Sequence, residues 1–139
     1  MTHPETDKSE ASRSDTSRLA SIAKPWQEPS EEVLRQIPAV LGVYELADAA
    51  GTVIHIGQAG GREPFGLRSK LSHHFSEAEL NPVLREQAAR FRWESNQQYT
   101  TRRIEMLMHY AEAHDQQLPP GNIAGTWEDQ PTLGRIRRN

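Results

Sequence analysis

Two side chains with complementary proton chemistry, Tyr44 and His55, fall in β-branched and aromatic runs over 40–46 and 53–57, separated by Asp48-Ala49-Ala50-Gly51. A loop symmetric about Ala49 and Ala50 sets Leu46 opposite Val53, Tyr44 opposite His55 and Gly42 opposite Gly57. Strand alternation then puts these six on one face, and Val43, Glu45, Ile54 and Ile56 on the other. A phenol with a pKa of about 10 would lie beside an imidazole with a pKa of about 6.5, which can accept a proton near neutrality. Gly42 and Gly57 leave bare backbone next to the pair, as at a bulge or at a close approach by a ligand or another backbone. Lys70 and His74 are four residues apart in a helical stretch and project together from one face. Arg68, two residues before Lys70, is turned about 200° away. Glu105 sits beside the apolar stripe of a long helix, which predicts a partly buried carboxylate aimed at the sheet. His109, four residues on, offers a metal pair with it. His73 and His114 read as surface residues.

The elements that must position these groups follow from periodicity. Ser30 before Glu31-Glu32 and Val33-Leu34 predicts a short leading helix ended by Pro38. Leu67, Leu71 and Phe75 recur every four residues and predict a helix over 65–75. A second helical pattern covers about 79–89, and Arg90-Phe91-Arg92-Trp93-Glu94 alternates as a third strand joining the hairpin. The longest helix runs from about Tyr99 to His114, with Ile104, Leu107, Met108 and Ala111 toward the core, and Leu118-Pro119-Pro120-Gly121-Asn122 ends it. This order predicts an α+β fold, a small three-stranded antiparallel sheet covered by helices. The expected organisation is a disordered arm over 1–24, one domain over 25–122 and a basic tail over 123–139.

A chain of 139 residues has room for one domain and a modest core. The absence of cysteine excludes disulfide frameworks, thiolate zinc sites and cysteine nucleophiles, and fits a cytoplasmic protein. No apolar run reaches the roughly 20 residues of a membrane helix, so no membrane partner is expected. The net charge of -3 argues against a strongly basic nucleic-acid binder. Its distribution is uneven, because residues 1–50 hold 5 Lys/Arg against 9 Asp/Glu and residues 51–104 hold 8 against 5. The middle of the chain could therefore face phosphates.

Gly42-Val43-Tyr44, His55-Ile56-Gly57, the basic helix after them, Glu105 and Asn122, in that order over about residues 40–122, resemble the GIY-YIG nuclease superfamily. The resemblance implies cleavage of a phosphodiester with one divalent metal, Mg²⁺ or Mn²⁺, held by the helix glutamate, which maps onto Glu105. A hard cation that keeps much of its hydration shell suits a single carboxylate. The first-motif tyrosine maps onto Tyr44, as the group that orients or deprotonates the attacking water. Asn122 maps onto the asparagine after the helix, a donor that fixes a loop or a phosphate. The implied catalytic set is Tyr44, His55, Lys70 or Arg68, His74, Glu105 and Asn122, with Gly57, Arg68, Lys70 and Asn122 toward the substrate.

Two positions depart from that pattern. His55 stands where the second motif has tyrosine. Lys70 stands where the family has an arginine four residues before a histidine or tyrosine, and lysine lacks the planar fork that grips two phosphate oxygens. Arg68 is the alternative source of a guanidinium. Three functions follow as expectations: a divalent-metal-dependent endonuclease acting on DNA, with RNA second; a catalytically degenerate domain that binds nucleic acid or protein; and a protein-interaction module, which the acidic net charge favours. Without a separate recognition domain, sequence specificity would be low or supplied by a partner protein.

Overall fold

Residues 21–125 are described in a computed structural model of the chain. Residues 1–20 of the expected arm over 1–24 and residues 126–139 of the expected tail over 123–139 lie outside these residues. In chain order the elements are α1 (Glu31–Arg35), β1 (Gly42–Ala47), β2 (Val53–Ala59), α2 (Gly66–His74), α3 (Pro82–Gln87), β3 (Arg90–Ser95), α4 (Tyr99–Ala113) and α5 (Pro120–Ile123). The fold is α+β, with one antiparallel sheet in the order β2-β1-β3. β1 is central and buried along its whole length, as its unbroken Val-Tyr-Glu-Leu-Ala run requires of a strand covered on both sides. No helix among the described residues is long and apolar enough to cross a membrane.

Side-chain caps set the starts of two helices. Ser30 accepts from the Val33 amide at the start of α1. Asn81 accepts from the Val83 and Leu84 amides at the start of α3, where Pro82 occupies the first helical position. The cap makes α3 shorter than the helix expected over 79–89, because Asn81 and Pro82 fix its start.

The hairpin register differs from the symmetric one by two residues. Tyr44 pairs with Gly57, Leu46 with His55 and Gly42 with Ala59. Two local features produce the shift. The Asp48 side chain accepts from the Ala50 and Thr52 amides, and with Gly51 at φ 88° it widens the turn to five residues, so that Ala47 pairs with Val53. The ladder then skips Ile54, a bulge that adds the second residue. An even total shift leaves Tyr44, His55 and Gly57 on one face, but the bulge exchanges their neighbours. Ile54 packs with Tyr44 and Leu46, whereas Val53 packs on the opposite face with Val43 and Ile56.

Each face has its own core. Tyr44, Leu46 and Ile54 meet Leu67 and Leu71 of α2, Leu84 of α3 and Phe91 of β3. On the far side Val43 and Ile56 meet Met106 and Leu107 of α4, together with Ile22. Ile22 is 2% exposed, so the ordered domain begins before the end of the expected arm over 1–24. The same segment covers Glu45, whose carboxylate accepts from Arg92 at 2.7 Å while the Arg92 guanidinium lies over the Trp26 ring. Burial raises the Glu45 pKa, against the opposing pull of Arg92.

Candidate functional site

The α2-covered face of the sheet carries a buried polar cluster. Tyr44 and His55 lie side by side with ring centroids 5.9 Å apart, and His74 closes the group at 5.2 Å from each. Tyr44 and His55 are fully buried and His74 nearly so. Sequence periodicity put His74 on the face adjoining the buried stripe, beside Lys70. It is buried instead, because the stripe of α2 runs through Leu67, Leu71 and His74, while Phe75 ends the helix and packs at its margin.

Tyr44 Oη lies 2.5 Å from His74 Nε2, and His74 Nδ1 lies 2.5 Å from Glu79 Oε1. The second Glu79 oxygen accepts from the Asn81 amide at 2.8 Å. Burial alone would raise the Glu79 carboxyl. The hydrogen bonds from His74 and Asn81, with the attraction of His74 and His73 whenever they are protonated, hold it below the ordinary carboxylate value. Glu79 was not among the residues singled out by sequence; read as the start of the helical pattern over 79–89, it instead sits in the loop between α2 and α3.

His55 is pushed well below the usual histidine range, first by burial and then by its basic neighbours, His74 whenever it is protonated, Arg103 and Lys70, with a hydrogen bond to the Gly121 backbone opposing. It is neutral at pH 7. Gly57 is not an open approach for a ligand. Across from Tyr44 in the ladder, it leaves the space the Tyr44 ring fills, and a Cβ there would overlap the phenol.

The other expected residues do different work. Arg68 donates from Nε to the Ile37 carbonyl at 2.7 Å, tying α2 to the end of α1. Lys70 is partly exposed and paired with Glu63 at 3.7 Å. Asn122 is fully buried, and its carboxamide both accepts from the Ile56 amide and donates to the Ile56 carbonyl, each at 2.9 Å. It takes the place of a neighbouring strand on the open edge of β2.

Glu105 is the largest departure from expectation. Its side chain is 50% exposed and 3.8 Å from Arg102. The buried residues of α4 are Arg102, Arg103, Met106, Leu107 and Ala111. At 100° per residue, Glu105 is about 200° from Arg103 and Leu107, on the exposed side of the helix where only Arg102 adjoins it. Moreover, α4 packs on the Val43–Ile56 side of the sheet, away from Tyr44 and His74. Arg103, by contrast, reaches the Ile56 carbonyl at 3.4 Å. A signal for it existed: Arg103 precedes Leu107 by four residues and Met106 by three, on the buried stripe.

A metal held by Glu105 therefore does not fit the Tyr44 cluster. The carboxylate faces solvent from a helix on the other side of the sheet, and no group of three or more metal-ligating His, Asp or Glu gathers among the described residues. What the arrangement can do chemically is hold a proton chain from Tyr44 through His74 to Glu79. A family model described as a domain of unknown function, DUF7508, matches residues 20–113. No curated protein matches the chain.

Proposed function

The chain belongs to the DUF7508 family of domains of unknown function, and on that premise we propose that it is a catalytically degenerate GIY-YIG-like domain that works in the cytoplasm by binding a protein partner. The observation that carries this reading is the placement of Glu105, on the solvent side of α4 and across the sheet from Tyr44. Four of the other positions that the resemblance marks as catalytic have framework tasks. Tyr44 and His55 fill the core, Asn122 seals β2 and Arg68 anchors α1.

Charge favours a protein over a nucleic acid as the partner. The net charge is -3, which opposes a phosphate backbone, and Arg35, Lys70, Arg92 and Arg102 each pair with a glutamate. Phe65, Leu80 and Ile123 are exposed apolar side chains available to a protein surface. Binding that weakens steeply with salt on DNA or RNA would overturn the choice of partner.

One observation favours a second reading, a metal-dependent endonuclease acting on DNA or, second, RNA. A tyrosine hydroxyl bonded to a carboxylate-supported imidazole is suited to accepting a proton from water. Incubation with branched, single-stranded and duplex DNA and with RNA, with and without Mg²⁺ or Mn²⁺, separates the readings.

A further inference from the structure

We propose that Glu79 is the positioning residue of a Tyr44–His74–Glu79 proton relay, fixing the tautomer of His74 and through it the direction of the Tyr44 hydroxyl. The inference goes beyond the binding reading and holds whether or not the domain cuts nucleic acid. An ionised carboxylate can only accept, so the 2.5 Å contact of Glu79 with His74 Nδ1 requires the proton on Nδ1. A neutral imidazole then has a lone pair on Nε2, and the Tyr44 hydroxyl must donate to it. The chain is directional, and its order is set at the Glu79 end.

Glu79 is itself held. Its other oxygen accepts from the Asn81 amide, and the Asn81 side chain donates to the Gly121 carbonyl and caps α3. The three relay side chains are at most 8% exposed, where charge-assisted hydrogen bonds are stronger than in water. His74 also forms part of the wall of a surface pocket of about 310 Å³, with Phe75, Ser76, Leu84 and Arg85. The relay thus connects a tyrosine sealed beneath the sheet face to a histidine that lines this pocket.

The test is ring-nitrogen NMR of the ¹⁵N-labelled full chain. The wild type should show His74 as the Nδ1–H tautomer, with a ring proton protected from exchange. Tyr44→Phe should keep that tautomer, because the relay is set from the carboxylate end. Glu79→Gln should lose it, since a carboxamide has one accepting oxygen for two donors, His74 and the Asn81 amide. Exchange of the ring proton should then speed up roughly tenfold or more. Asn81→Ala removes the α3 cap but leaves the backbone donor, so the tautomer should persist in a less stable protein. An Nε2–H tautomer in the wild type, its appearance in Tyr44→Phe, or an unchanged signal in Glu79→Gln would each overturn the assignment.

Discussion

An imidazole sealed between Tyr44 and His74, with Arg103 and Lys70 adding positive charge, takes up a proton far less readily than a free histidine. The unfolded chain suffers no such penalty. Below the ordinary histidine pKa of about 6.5 it therefore binds more protons at position 55 than the folded protein does, and stability falls as pH drops from there toward the lower folded pKa. The slope from this residue is at most about 1.4 kcal/mol per pH unit. Urea unfolding at pH 7.5 and 5.5 should show that loss in the wild type and a flatter profile in His55→Gln; equal profiles would mean that the imidazole is solvated. Glu105 presents the opposite case. Facing solvent opposite the core side of α4, it should tolerate Glu105→Gln within about 0.5 kcal/mol, measured by thermal unfolding. The residue types of the polar cluster were legible in the sequence, because Tyr44, His55 and His74 lie in strong local patterns. Glu79 was not legible, since its role comes from a loop that folds back onto α2.

Elements were easier to read than their phases. The alternating strands, the Ser30 cap and the leucine spacing of α2 predict the architecture, since each is a local preference that packing reinforces. The hairpin register depends on an Asp48-capped turn and a bulge at Ile54, and neither has a signature as plain as Asn-Gly. The phase of α4 was misjudged because a stripe drawn through Ile104 and Met108 ignores two arginines whose guanidinium groups are consumed inside the protein, Arg102 on Glu94 and Arg103 on Ile56. With the stripe drawn through Arg103, Met106, Leu107 and Ala111, Glu105 moves from its margin to the opposite side. Closure of β2 by Asn122 was also unread, and it gives a prediction at this scale. Asn122→Ala leaves the Ile56 amide and much of its carbonyl unsatisfied and should cost about 2 to 4 kcal/mol. Hydrogen exchange should locate the damage, with the Ile56 amide losing protection before its β1 neighbours; uniform loss would mean that Asn122 matters to the global fold and not to the strand edge.

At the scale of the molecule, the sheet separates two cores with different roles. One encloses the Tyr44–His74–Glu79 chain beneath α2, and the other joins α4 to the segment around Ile22. Ile22→Ala should destabilise the domain by about 2 to 5 kcal/mol in denaturant unfolding, as expected of a side chain buried in the second core. The separation also explains why the resemblance carries over unevenly: residues in β1, β2 and α2 converge, whereas the α4 carboxylate lies beyond the sheet from them. The proposed binding without cleavage rests on that division. The most direct test is incubation of the full chain with branched, single-stranded and duplex DNA and with RNA, in Mg²⁺, Mn²⁺ or chelator, alongside Glu105→Ala. A domain that binds without cutting should show no cleavage that depends on metal and no difference between the two proteins; metal-dependent cutting by the wild type that disappears in Glu105→Ala would overturn the proposed function.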